Sequence, residues 1–493
     1  MEADTKRILD SVHGYIKMRR FFFNNVIDTP YFQRLRHIEQ TSARSIFPSA
    51  RHDRFIHSLG VFYLGNKMVE VLDKTPESKD FPDNKELVYN SFLAACLLHD
   101  VGHSPFSHTF EQYYNNKDCC LIQLLKDEIN SENFSKDADE NIDNSAPHEI
   151  MSAYVVIKAF SKLKIANKFD AELIARMIIG CFYYREPEKY SFENAFIELI
   201  HGNVIDADGL DYVCRDAWAS GYCTAKVDVI RLIESIRIVK NDRNLFNVCY
   251  TPKALNEIEG VLTVKTFQQT NIITHHTVVY EQHLLVKAME SAALYHFGLD
   301  NTVDEDLREE ALGMLCNVHT MVGTVHLPKH NIPLSFPMDD DFVSLMKYIP
   351  DDRYVKQWFS RQYELVPLWK SKADFYSAFP MFVGAKITKE NWLFSSDCKS
   401  FIAGLLGVSI HDVWILDAQD KYKCHNASTI NMFVNGEIKD YKNLFPNDKN
   451  SFKPDIQPFY YVYIPRTMKN RDVEVIEALN KEIKKYIFNR IAK

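Results

Sequence analysis

Twelve residues, Leu97 to His108, read LLHDVGHSPFSH and hold three histidines and an aspartate around a glycine and a proline. Imidazole and carboxylate are the donors of a nitrogen–oxygen metal site and the commonest carriers of catalytic protons. The stretch SFLAACLLHD, from Ser91, is almost wholly apolar, which predicts a short, deeply buried helix ending at His99 and Asp100. A carboxylate and an imidazole at such an end need compensation. A divalent cation supplies it by pairing with the carboxylate and accepting an imidazole nitrogen. Gly102 permits a bend, and Ser104 followed by Pro105 reads as the N-cap and first residue of a second helix. His108 and Glu111 then lie three apart on one face. There Glu111 either fixes the tautomer of His108, as a catalytic imidazole requires, or forms a plain surface pair with it.

Two residues do not hold a metal, so further donors are needed. RHDRFIHSLG places Arg54 and His57 at helical spacing, with His57 in line with Val61, Leu64 and Met68. On its own, a histidine there reads as a hydrogen-bonded core residue. IDADGLDYVCRD puts Asp208, Tyr212 and Asp216 on one helical face, with Asp211 and Arg215 on a neighbouring face where they can pair. APHEI adds His148 and Glu149. Of the other His-Asp dipeptides, His52-Asp53 falls in a loop, and His411-Asp412, just before a strand, reads as structural or surface.

The order His57, His99-Asp100, Asp208 resembles the H…HD…D signature of the HD-domain phosphohydrolases. The blocks DSVHGYI, IDTPYFQRLRHIEQ, RFIHSLGV, LLHDVGHSPFSHTFE, HE and DADGLDYVCRD, in this order over about residues 8–330, resemble deoxynucleoside triphosphate triphosphohydrolases. That resemblance implies an HD-domain helical fold and cleavage of a dNTP into a deoxynucleoside and inorganic triphosphate. It makes His57, His99, Asp100 and Asp208 ligands of a divalent ion, with Mn, Mg, Fe or Zn all suited to such donors. It places His103, His108, Glu111, His148 and Glu149 at the site of attack, Arg54 on phosphate, and Tyr212 and Asp216 toward the substrate sugar or phosphate. It also implies a homo-oligomer, dimer or tetramer, with an activating nucleotide bound between subunits at Asp28, Gln33 and Arg36; packing or surface pairing is the alternative for that stretch. Two departures matter. Position 111 is Glu where close relatives often have Asp. Gly209 stands where some relatives place a phosphate-facing lysine, so Lys226 or Lys287 is expected to supply that charge, or the substrate differs.

The elements that must position these residues are mostly helical. Helical patterning dominates to about residue 330, giving an all-α catalytic domain over 1–330. Residues 331–493 form a smaller α+β region for subunit contacts or a lid. The long stretch 256–297 predicts one or two helices. DVWILDA and PFYYVYIP predict strands. The segment from Val473 predicts an amphipathic helix with Ile476, Leu479, Ile483 and Ile487 on one face. Residues 73–86 and the acidic stretch 127–147 read as exposed loops, the second as mobile, with almost nothing to bury.

Composition bounds the function. At 493 residues the chain exceeds one ordinary core. A net charge of −8 argues against coating nucleic acid through bulk charge, though a small basic pocket for a polyanion is compatible with it. No apolar run is long enough to span a bilayer, and the N-terminus has no apolar signal core. Ten scattered cysteines, with one adjacent pair at Cys119 and Cys120 and no C-x-x-C, favour reduced thiols and a cytoplasmic location. Two other functions compete: an HD phosphohydrolase acting on a signalling nucleotide or a nucleoside monophosphate, and a nucleotide-sensing regulator that binds nucleic acid. The intact ligand set and the negative charge weigh against the regulator.

Overall fold

A computed structural model describes residues 4–115, 120–141, 145–160, 168–202, 204–222, 227–299, 305–380, 396–418, 427–446 and 460–491. The chain forms two compact units, each assembled from separated segments. The first comprises residues 1–265, 289–349 and 425–453; the second comprises 266–288, 350–424 and 454–493. A single cut near residue 330 therefore does not follow the compact units.

The first unit opens with a hairpin of β1 (Thr5–Asp10) and β2 (Gly14–Arg19), turned at Gly14 with φ +74°. Two helices form its centre. Asp53 caps α1 (Arg54–Leu72) by accepting from Ile56 N–H at 2.9 Å. α1 buries Phe55, Leu59, Val61, Leu64 and Met68, and α2 (Lys85–Leu98) is buried from Val88 to its end, as its all-apolar sequence predicts. Around them lie α3 (Glu132–Asn141), α4 (Pro147–Ala159), α5 (Ala171–Ile179), α6 (Pro187–Ile200) and α7 (Ala207–Ser220).

Glycine permits two close approaches. A Cβ on Gly60 of α1 would stand 1.9 Å from Asp211 Oδ1 of α7, and a Cβ on Gly102 would stand 2.2 Å from the backbone nitrogen of Ser152 on α4. Gly102 is thus required for the contact with α4, while its backbone lies outside the left-handed region, so the bend itself does not demand glycine.

Strands complete this unit. β3 (Ile236–Lys240) and β4 (Phe246–Tyr250) pair antiparallel. β5 (Val325–Leu327) and β6 (Ile332–Leu334) form a second hairpin. In chain order the second unit's β7 (Leu365–Pro367) and β8 (Trp414–Asp417) come next, then β9 (Asn431–Val434) and β10 (Glu437–Asp440) of the first unit. β10-β9-β4-β3 is one mixed sheet, β4 and β9 being parallel. The fold is mostly helical, but β1–β5 break the all-α expectation before residue 330, because short strands leave little periodic signal.

Two further expectations are corrected, and two hold. The acidic stretch forms α3 rather than a mobile loop. Phe134 and Ala138, four apart, bury one face, and Asp137 meets the buried Arg176 at 3.0 Å; residues 142–144 lie outside the described set. No helix starts at Ser104–Pro105. Phe106 and Ser107 take left-handed backbone, φ 56° and 57°, and only 3-10 turns follow at Ser107–Thr109 and Glu111–Tyr114. Residues 256–297 form α8 (Leu255–Gln268) and α9 (His276–Phe297) with a π-turn, Gln269–Ile273, between them. Residues 73–86 are largely exposed around one 3-10 turn, Pro76–Asp80.

A further helix of the first unit, α10, spans Asp339–Lys347. In the second unit β11 (Tyr460–Pro465) lies between β7 and β8, and α11 spans Asp472–Ile491. The strands expected at DVWILDA and PFYYVYIP are β8 and β11. Leu479 and Ile483 of α11 are buried beside Trp369, Phe375 and Trp414; the Ile487 side chain lies outside the described residues. Among the described residues no helix is long and apolar enough to cross a membrane.

Candidate active site

His57 is buried in the second turn of α1 with both nitrogens committed. Nδ1 faces Asp211 Oδ2 at 2.7 Å, and Nε2 lies 2.9 Å from Asp208 Oδ1. Asp211 is held from three sides: by Arg215 Nε at 2.8 Å, by His13 Nε2 at 2.6 Å and by His57. Burial alone would raise its carboxyl, but His13, His57 and Arg215 outweigh burial and hold it well below the usual carboxylate range. Asp211 therefore fixes the ring of His57 so that Nε2 points at the centre, the role an outer carboxylate plays toward a ligating histidine.

The end of α2 supplies the other donors. His99 turns Nδ1 to Cys96 O at 3.1 Å and Nε2 toward His57 Nε2 at 3.3 Å. Asp100 Oδ1 lies 3.4 Å from His99 Nε2, and Oδ2 lies 3.7 Å from His57 Nε2. Asp208, in the first turn of α7, reaches within 3.6 Å of His99 Nε2 and keeps 38% of its side chain exposed, so the group opens on that side. Two imidazole nitrogens facing each other, each ring anchored at its other nitrogen, flanked by two carboxylates, fit a divalent cation. Without one, burial disfavours the His57 imidazolium, but Asp208, Asp211 and Asp100 outweigh it and hold the ring up to about 10.

A second cluster adjoins the first through Asp100. His103 is fully buried, with Nε2 3.2 Å from Asp100 Oδ1. Its ring stacks on His148 at 3.9 Å, and His108 meets both rings edge-on. Glu111 bridges the outer two: Oε1 to His108 Nδ1 at 3.0 Å and Oε2 to His148 Nδ1 at 2.6 Å. Burial opposes charge on His148, but Glu111 holds its imidazolium above the usual histidine range. Burial, with Arg54 and His148 close by, drives His103 well below that range. The Glu111–His148 contact has no signal in sequence, since the residues are 37 apart in different elements.

The other expected site residues are placed differently. Arg54 is buried and donates from Nη1 to Asp100 Oδ2 and from Nε to Ser107 Oγ, both at 2.7 Å. Its guanidinium thus serves the carboxylate and the loop. Glu149 accepts from Ala146 N–H at 2.6 Å and lies 3.4 Å from His201, capping α4 away from the histidine stack. Asp216 is held by the buried His52 at 2.6 Å, which gives the first His-Asp dipeptide a positioning role that its loop did not suggest. Tyr212 lies under the Lys265 ammonium, 5.4 Å from the ring centre. Lys265 Nζ donates to Val204 O at 2.8 Å and stands 2.7 Å from where a Cβ on Gly209 would be. Of the lysines expected to replace a charge at 209, Lys226 lies outside the described residues and Lys287 sits on α9. The cation beside Gly209 is Lys265. Gln33 and Arg36 pair at 2.9 Å, Arg36 lies over the Phe55 ring at 3.5 Å, and Asp28 is 54% exposed, 3.9 Å from Lys6.

Residues 54–183, which carry His57 and every residue of the histidine stack, match the HD domain family. Over this stretch the chain resembles HD-domain proteins, and it is similar in sequence to deoxynucleoside triphosphate triphosphohydrolases. It is 31% identical over 265 residues to the deoxynucleoside triphosphate triphosphohydrolase SAMHD1 of Bos taurus, a match covering 52% of this chain and 42% of that protein. It is 30% identical over 238 residues to the uncharacterized protein YwfO of Bacillus subtilis, covering 48% of this chain and 45% of that one. The chain spans less than half the length of these two relatives. Among solved structures, a phosphohydrolase from Bacteroides thetaiotaomicron shares the fold at TM-score 0.60 and 21% identity, over 94% of this chain and 100% of that one.

Proposed function

We propose that the protein is a metal-dependent dNTP triphosphohydrolase that works as a cytoplasmic homo-oligomer. One observation carries this reading: the donor group of His57, His99, Asp100 and Asp208 shares Asp100 with the stack of His103, His148 and His108. Charge stabilisation and proton transfer thereby meet at one opening. A divalent ion at the donor group (Mn, Mg, Fe or Zn) supplies Lewis acidity at a phosphoryl oxygen.

The side chains do the rest. Water attacks the α-phosphorus and the bond from phosphorus to the 5′-oxygen breaks. His108, 60% exposed and oriented by Glu111, donates a proton to that departing oxygen. The products are a deoxynucleoside and inorganic triphosphate. His148 and His103 line the phosphates' path; Tyr212 and Asp216 face the sugar, and Lys265 adds positive charge beside α7.

The reading is tested by incubating the protein with each dNTP, singly and mixed, with Mn or Mg, and separating products by ion exchange. Intact triphosphate with deoxynucleoside is expected. Pyrophosphate or single phosphate as product would move the assignment to another nucleotide, and salt-sensitive RNA or DNA binding without turnover would favour a sensor. The exposed stretch with Asp28, Gln33 and Arg36 is proposed as the activating nucleotide site, Asp28 and Gln33 reading a base edge and Arg36 a phosphate. Asp28→Ala with Gln33→Ala is expected to abolish activation by a second nucleotide while metal content stays constant. Equal activation in the double variant would return this stretch to a packing role.

A further inference from the structure

The loop from His103 to Phe110 carries both His103 and His108, yet it is built on unfavourable backbone. Phe106 (φ 56°, ψ 32°) and Ser107 (φ 57°) are consecutive non-glycine residues in the left-handed region. Such a turn persists only where its surroundings over-determine it. Part of the restraint is local: Ser107 N–H donates to Ser104 O at 3.1 Å, and Ser107 Oγ receives Arg54 Nε. The rest comes from a segment more than 230 residues away. The Asp339 carboxylate, 7% exposed at the start of α10, accepts Phe106 N–H on Oδ1 at 2.6 Å and Glu39 N–H on Oδ2 at 3.0 Å. Two residues earlier, Pro337 O accepts Arg34 Nε at 2.8 Å, and the same guanidinium donates from Nη2 to His103 O at 2.7 Å. Both ends of His103–Phe106 are therefore tied to residues 337–339.

We infer that Asp339 is a positioning residue for the reaction: by holding the Phe106 amide it keeps the left-handed turn that presents His103 and His108. The kinetic part of this inference rests on the proposed activity; the structural part does not. The carboxylate's geometry fits the role. One carboxylate accepts two main-chain N–H groups from different segments, a task that an amide side chain, with a single oxygen, performs only by half. Burial costs the carboxylate, which is tolerated because both oxygens are satisfied.

The test uses the full chain, metal-loaded, with native-state hydrogen exchange read by mass spectrometry and steady-state kinetics on dNTP. Asp339→Asn keeps the size and one acceptor; Asp339→Ala removes both. Asp341→Asn is the control, because Asp341 caps the same helix through Met338 N–H at 2.8 Å and, among the described residues, has no hydrogen bond to the loop. Asp339→Asn is expected to raise amide exchange in residues 103–107 about tenfold, the worth of one hydrogen bond, and Asp339→Ala more. kcat is expected to fall about 10²-fold, with KM and metal content close to wild type. Asp341→Asn is expected to change none of these. Unchanged exchange at 103–107 in both Asp339 variants, or an equal rise in Asp341→Asn, would overturn the inference. Loss of metal would overturn it too, since it would mark general collapse. If the wild-type chain turns over no dNTP, the proposed activity falls while exchange still decides the role of Asp339.

Discussion

His108→Ala is expected to cut turnover of dNTP by about 10²- to 10⁴-fold, the range for loss of a general acid, while bound metal stays at the wild-type ratio. The two outcomes separate because of geometry. His108 lies outside the donor group of His57, His99, Asp100 and Asp208, and its contact is with Glu111 at 3.0 Å. Removing it leaves His148 still paired to Glu111 at 2.6 Å, so the cluster keeps its counter-charge. Metal analysis alongside kcat checks both halves. Turnover within a factor of a few of wild type would remove His108 as the acid and turn attention to His148, whose imidazolium the same carboxylate supports.

Gly60→Ala is expected to destabilise the first unit by about 3–5 kcal/mol, the cost of breaking a buried ion pair. In an open helix this substitution stabilises. Here the added Cβ would stand 1.9 Å from Asp211 Oδ1 and 2.5 Å from Arg215 Nη2. These are side-chain ends, but neither is free to swing. Asp211 is held by His13, His57 and Arg215, and Arg215 also meets Asp10 at 2.9 Å. The internal control is Gly313→Ala, where the Cβ meets nothing within 4 Å and a gain of about 0.4–1 kcal/mol is expected. Urea denaturation of both variants checks the sign difference. A neutral Gly60→Ala would show that the Asp211 network relaxes without loss and is not what sets the α1–α7 approach.

The sequence made the site legible where chemistry and local spacing coincide. His99 and Asp100 close an apolar run that has to be buried, and Asp208, Tyr212 and Asp216 follow helical periodicity. What stayed hidden depends on contacts between distant segments. His13 reaches Asp211 across 198 positions, His52 reaches Asp216 across 164, and Asp339 reaches Phe106 across 233. No pattern within one segment encodes such partners. Local reading also misjudged two elements. The acidic run over 127–147 looked too polar to fold because Phe134 and Ala138 are few, yet one apolar stripe and a buried Arg176–Asp137 pair suffice for α3. Ser104–Pro105 has the chemistry of a helix start, but tertiary hydrogen bonds impose the left-handed Phe106 and Ser107 just beyond it.

The Gly209–Lys265 contact constrains how this site can change over time. The ammonium of Lys265 sits 2.7 Å from the Cβ position of residue 209, so the two positions compete for one volume. A side chain at 209 displaces the Lys265 ammonium from its bond to Val204 O unless residue 265 has shortened, and a shortened residue 265 with glycine still at 209 leaves the spot without its cation. Exchange between the two arrangements must therefore pass through a disfavoured intermediate, in whichever order the substitutions come. Among descendants of a common ancestor, glycine at 209 and lysine at 265 are expected to be inherited together or lost together.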